Sequence, residues 1–262
     1  MKGLWRYLFL SSLLIPSSCG LFGGKEPEKV AFSPTDAILK LQEAPVIEVG
    51  GVERHLSLGN DYYLKGMVEE AVEEYKQALK LNPHHIEARY NLGVAYSQKG
   101  MQEEAVREWE RTAELDTSHE DARYSLGLSS LEAGDLDAAI SQLGGVLRLN
   151  PDSTMAYYYL GATYLEKKMY EEALNTFREA IKRNAGLAEA HLGLATSLAE
   201  LGRVEEATKE VTDTLALYPD LAEAHYTRAL LLEKQGLKEE AKKEFEEALR
   251  LAGEERGGED VR

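Results

Sequence analysis

The chain of 262 residues has one cysteine, two tryptophans and seven prolines. It has no apolar run approaching the about 20 residues that a membrane-spanning helix needs. A single cysteine, Cys19, can form neither an internal disulfide framework nor a cysteine-based zinc site. Positive charge is also scarce, with 30 Lys and Arg against 46 Asp and Glu and a net charge of −16. Binding to phosphate backbones requires clustered Lys and Arg, so nucleic acid is not the expected partner. The signatures of common enzyme sites are missing as well. There is no Gly-rich phosphate loop with its lysine, no Gly-x-Ser-x-Gly elbow and no His-Glu-x-x-His, since His119-Glu120-Asp121-Ala122-Arg123 lacks the second histidine. No catalytic residue, metal or cofactor is expected. The 44% of apolar residues excludes a wholly disordered chain.

The first residues have a recognisable order. Lys2 and Arg6 give a positive start, Leu8–Ile15 a short apolar core, and Pro16-Ser17-Ser18 a stretch of small residues before Cys19-Gly20. That is the pattern of a secretory signal peptide. The lone cysteine at the cut site resembles the lipobox of bacterial lipoproteins, although Pro16 stands where that family usually has leucine. The resemblance implies that residues 1–18 are removed and that Cys19 becomes the lipidated first residue. Because Gly20 is not the aspartate that retains some such proteins at the inner membrane, it further implies an outer-membrane anchor facing the periplasm. Removal of residues 1–18 leaves 28 basic against 46 acidic side chains, a net charge of −18. Such a surface repels anionic lipid, so the acyl anchor would hold the membrane. The other reading is an ordinary signal cut near Ser18 that releases a soluble protein.

Residues 19–51 read as a tether, interrupted by Gly20, Gly23, Gly24, Pro27, Pro34, Pro45, Gly50 and Gly51. One short helix is expected over 35–42, with Ala37, Ile38 and Leu41 on one face.

From Val52 the chain repeats every 34 residues without insertion. One series runs Leu58-Gly59, Leu92-Gly93, Leu126-Gly127, Leu160-Gly161, then Leu194-Ala195 and Arg228-Ala229. A second is Ala71, Ala105, Ala139, Ala173, Ala207 and Ala241. A third is bulky: Tyr75, Trp109, Leu143, Phe177, Val211 and Phe245. Gly66, Gly100, Gly134, Gly202 and Gly236 mark a mid-repeat turn, with Lys168 the exception, and Pro83, Pro151 and Pro219 close alternate repeats. Apolar residues recur at three- and four-residue steps on both sides of the turn, which predicts two helices per unit. The glycine is expected to cap the first helix in a left-handed conformation. The small residues let the helices approach, and the bulky series fills the remaining gap.

These motifs resemble the tetratricopeptide repeat. Glu87-Ala88-Arg89-Tyr90-Asn91-Leu92-Gly93-Val94-Ala95-Tyr96 is close to its first helix, and Glu69 to Pro83 to its second. The resemblance implies an all-α fold, an alpha-alpha superhelix of six helix-turn-helix units at 52–85, 86–119, 120–153, 154–187, 188–221 and 222–255. Neighbouring units must stack because no unit buries its apolar face alone. Residues 256–262 are expected to form a disordered acidic tail. The open end of the last repeat is either softened by Lys242, Lys243, Glu246 and Glu247 or covered by a partner or a second copy.

In this family the first helices line a concave wall. Carried onto this chain, the resemblance places Glu53, Glu87, Asp121, Glu189 and Glu223 at the second position of their repeats, and Tyr90, Tyr124, Tyr158 and Tyr226 at the fifth. Asn60 and Asn91 join them as groove residues. A tyrosine ladder with an acidic border suits a peptide bearing Lys, Arg or aromatic side chains; the same residues are also the default choices of the repeat. The cations of carboxylate-clamp members are missing, since those places hold Leu56, Glu87, Asn91, Asp121 and Ser125. His55, His191 and His225 read as packing residues on first helices, and the glutamates as solvated helix faces. The function implied is a non-catalytic scaffold that binds a protein or peptide and assembles or localises an envelope complex. Its architecture resembles that of type IV pilus pilotins. A regulator of peptidoglycan enzymes and an enzyme with a metal site in the turns are the alternatives.

Overall fold

Helices whose apolar residues recur at three- and four-residue steps hide a stripe, and a second stripe must cover it. The computed structural model describes residues 49–259, which form twelve helices and no strand. They are α1 (Val49–Leu64), α2 (Val68–Leu81), α3 (Ile86–Gln98), α4 (Gln102–Leu115), α5 (Glu120–Glu132), α6 (Leu136–Leu149), α7 (Thr154–Glu166), α8 (Tyr170–Arg183), α9 (Ala188–Glu200), α10 (Val204–Leu217), α11 (Ala222–Lys234) and α12 (Lys238–Glu259). Cys19 and the helix expected at 35–42 lie outside the described residues.

The chain divides into two units, with the boundary after His85. In the first, α1 and α2 form one antiparallel hairpin. In the second, α3 to α12 form an all-α solenoid in which each helix packs on its neighbours in sequence. First helices of successive pairs also touch, α5 with α7, α7 with α9 and α9 with α11, which puts the first helices on the inner side of that unit's curve.

Every mid-repeat turn is closed in the same way. The amide of Met67 donates to the Tyr62 carbonyl at 2.9 Å, and the equivalent bonds at Met101, Asp135, Met169, Arg203 and Leu237 are 2.8–2.9 Å. This six-to-one bond needs a left-handed residue just before it. The five glycines there have φ of 74–81°, and Lys168 takes the same role at φ 64°. At the repeat boundaries the second helices end on Asn82, Asp116, Asn150 and Asn184. The side-chain oxygen of each accepts from the amide two residues on, at 2.9–3.1 Å. Such Asx turns offer the backbone a hydrogen bond outside the helix and so stop it.

The small-to-large series pair as their spacing implies. A β-carbon on Gly59 would lie 2.5 Å from the Tyr75 ring, one on Gly93 2.5 Å from Trp109, one on Gly127 2.8 Å from Leu143 and one on Gly161 2.9 Å from Phe177. In the fifth repeat Ala195 has its β-carbon and the facing residue shrinks to Val211. The alanine series from Ala71 to Ala241 is buried throughout.

Two boundaries differ from the sequence reading. Helix α1 begins at Val49 and takes Gly50 and Gly51 into its first turn rather than leaving them in the tether. Helix α12 runs to Glu259, into the stretch expected to be tail. After Leu251 there is no Asx residue followed by proline to end it, and a glycine without a positive-φ turn weakens a helix without stopping it.

Candidate functional site

Second and fifth positions of a first helix lie on one face, one turn apart. In the second unit that face belongs to α3, α5, α7, α9 and α11. Glu87, Asp121 and Glu189 are exposed and Glu223 is half-buried. Tyr90, Tyr124 and Tyr226 are half-buried, so each keeps part of its ring at the surface. Tyr90 packs on His119 with ring centroids 4.9 Å apart, and Tyr226 packs on Phe245 at 5.5 Å.

Tyr158 corrects the expected ladder. It is 6% exposed and is a core residue. Its ring lies 5.0 Å from Tyr159 and 6.2 Å from Phe177, and Tyr159 in turn is 5.8 Å from Tyr124. Burial pushes the Tyr158 hydroxyl well above the ordinary tyrosine value, and the charge of Glu189, Tyr159 and the charge of Glu223 push the same way. Burial also raises Tyr159, opposed by its hydrogen bond with Tyr124 and helped by Glu189. Thus α5, α7, α9 and α11 bring Tyr124, Tyr158, Glu189 and Glu223 into one electrostatic neighbourhood, with Tyr159 as the link. The sequence reading missed Tyr159; the run Tyr157-Tyr158-Tyr159 was the available signal.

Tyr226 is raised by burial and by Glu233. Asn91 is half-buried on α3. In the first unit Glu53 is exposed and lies 3.4 Å from His85. Asn60 is tied down there, because its side-chain oxygen accepts from the Tyr75 hydroxyl at 2.8 Å.

The fourth position of each repeat turns from this wall toward its own second helix. His55 pairs with Glu74 at 2.6 Å, Arg89 with Glu108 at 2.6 Å, and His225 with Glu244 at 2.8 Å. His191 pairs with Glu210 in the same register. These four carboxylates are not solvated faces, as the sequence suggested: their side chains are 18–26% exposed, and each faces a cation-forming side chain from the same repeat. Among the described residues, no group of three or more His, Cys, Asp or Glu could hold a metal ion, and no helix is long and apolar enough to cross a membrane.

The wall therefore offers half-exposed aromatic faces beside carboxylates. It can make apolar contact, cation–π attraction and charge pairing with a ligand.

Comparison with known proteins agrees with the repeat fold. Models described as TPR or tetratricopeptide repeat match residues 59–100, 86–119, 124–188, 164–231 and 222–254. No curated protein matches the chain in sequence. Similar solved structures include a MamA protein, 26% identical with a TM-score of 0.61, the match covering 63% of this chain and 91% of that one. YrrB, described as a TPR protein with an unusual peptide-binding site, is 23% identical with a TM-score of 0.61, covering 72% of this chain and 93% of its own. A tetratricopeptide repeat protein from Parabacteroides merdae ATCC 43184 is 21% identical with a TM-score of 0.71, covering 77% and 80%.

Proposed function

Since this chain belongs to the tetratricopeptide repeat family, whose repeats build protein-binding scaffolds, we propose that it is a non-catalytic scaffold holding a peptide segment of a partner protein against the wall of α3, α5, α7, α9 and α11. The observation that carries this reading is the alternation of half-exposed Tyr90, Tyr124 and Tyr226 with exposed Glu87, Asp121 and Glu189 on one continuous set of first helices. The favoured segment carries Lys or Arg with aromatic or apolar neighbours, because carboxylates attract the cation and the rings receive it. The description of YrrB as peptide-binding supports the same use of the fold.

The Lys2 to Gly20 pattern supports attachment to a bacterial membrane through a lipidated Cys19, at the periplasmic face of the outer membrane. A scaffold so placed would assemble or localise an envelope complex in the manner of a pilotin. Titrating labelled peptides of matched length, one rich in Lys and Tyr and one rich in Glu and Tyr, into the purified protein tests the groove. The basic peptide should bind at least about tenfold tighter, a difference of about 1.4 kcal/mol. Equal affinity for both would sink the charge preference, and binding of neither would remove the support for a peptide groove.

A further inference from the structure

Each junction between repeats in the second unit is closed by a side chain that reaches two acceptors at once. In the third repeat Arg123 donates to the Thr117 carbonyl at 3.2 and 3.1 Å and to the Gln142 side chain at 3.5 Å. In the fourth repeat Tyr157 occupies the equivalent place, and Arg183 supplies the cation. It donates to the Pro151 carbonyl at 3.0 Å and to the Tyr157 hydroxyl at 3.2 Å, and stacks over that ring at 4.1 Å. In the fifth and sixth repeats the bridging residues are His191 and His225. The Nδ1 of His191 meets Glu210, and its Nε2 meets the Ala185 carbonyl at 3.1 Å. The Nδ1 of His225 meets Glu244 at 2.8 Å, and its Nε2 meets the Pro219 carbonyl at 2.8 Å. Thr117, Pro151, Ala185 and Pro219 are spaced by the 34-residue period, so the four contacts are one device repeated.

A carboxylate and a carbonyl both accept and neither donates. An imidazole between them satisfies both only when both ring nitrogens carry protons. The neutral ring must leave one acceptor facing a lone pair. Arginine at the equivalent place never loses its charge. We propose that His191 and His225 are protonation-dependent staples, which make the last two repeat junctions sensitive to pH while the junctions closed by Arg123 and Arg183 are not.

Both rings are faced by carboxylates and by a backbone carbonyl. His191 is faced by Glu210 and Asp213 from α10 and by the Ala185 carbonyl from the turn before α9. His225 is faced by Glu244 and Glu247 from α12 and by the Pro219 carbonyl from the turn after α10, while Arg228 on its own helix shares Glu244. The hydrogen bond that His191 donates to Glu210 raises the histidine above its ordinary value despite the opposing effect of burial. A group raised on folding gives its full stabilisation below the unfolded value of about 6.5 and loses it as pH rises through the folded value. The stapled helices α9 and α11 are those that carry Glu189, Glu223 and Tyr226.

Hydrogen exchange of the full chain between pH 5.5 and 8.5, corrected for intrinsic rates, tests this. Protection of residues 188–251 should fall as pH rises, while that of 120–183 holds. The double variant His191→Arg and His225→Arg should fold and lose the pH dependence, because it copies the solution used at Arg123. The double variant His191→Gln and His225→Gln should be weakly protected in 188–251 at both ends of the range. Wild-type protection that changes equally in both regions, or not at all, overturns the proposal. So does an arginine double variant that keeps the wild-type pH slope.

Discussion

A left-handed backbone brings the β-carbon against the following carbonyl, at a cost of roughly 1–2 kcal/mol for residues other than glycine. Lys168 sits at φ 64° where the five equivalent residues are glycine at 74–81°. Replacing Lys168 with glycine should therefore raise the stability of the second unit by about 1 kcal/mol, less whatever glycine adds to the entropy of the unfolded chain. A thermal melt reads the outcome, and an unchanged or lower midpoint would show that the lysine is unstrained. At the same scale, Tyr158 and Tyr90 occupy equivalent positions yet differ in depth. Tyr158→Ala should cost about 3–5 kcal/mol, the range for removing a buried aromatic ring, and Tyr90→Ala much less. Urea midpoints of the two variants check this. The repeat pattern shows which helix face a residue lies on, but not what rises beside it. The depth of Tyr158 comes from Tyr159 and Phe177, two rings that the period alone does not bring together.

Between elements, the fit of small to large residues sets how closely helices pack. Phe177 is 1% exposed and fills the space left both by Gly161 in its own repeat and by Gly193 in the next. Gly161→Ala forces a β-carbon to 2.9 Å from that ring. It should destabilise by about 1–3 kcal/mol through overpacking, with Gly161→Ala combined with Phe177→Leu recovering part of the loss. Denaturant titration of the single and double variants measures it, and equal stability of all three would contradict the packing account. This level was largely legible beforehand. The 34-residue phase, the turn glycines, the alanine series and the Gly59–Tyr75 type of pair could all be read from spacing, because each rests on a residue's size or backbone freedom. The pairs joining the fourth position to the second helix could not. Their residues vary through His, Arg and Tyr on one side and Glu, Gln and Arg on the other, and a half-buried glutamate looks in sequence like a solvated one. Arg89→Ala leaves Glu108 without its partner at 2.6 Å. Both side chains retain some solvent, so the expected cost is about 1–2 kcal/mol rather than the larger loss of a fully buried pair.

At the scale of the molecule, the scarcity of positive charge and the single cysteine take on separate meanings. The acidity contributes to the border of the first-helix wall, where Glu87, Asp121 and Glu189 stand exposed. Cys19 is the expected attachment point, and Cys19→Ser should move the protein from the membrane fraction to the soluble fraction; unchanged fractionation would contradict the anchor and leave the scaffold reading intact. The scaffold reading itself rests on the wall of α3, α5, α7, α9 and α11, and Tyr158 has no place in testing it because its removal disturbs the core. The decisive measurement is calorimetric titration of a Lys- and Tyr-bearing peptide into wild-type protein and into the triple variant Tyr90→Ala, Tyr124→Ala and Tyr226→Ala, with helicity followed by circular dichroism. The account predicts that the variant stays helical and binds at least about tenfold more weakly. Undiminished binding by a folded triple variant would contradict it.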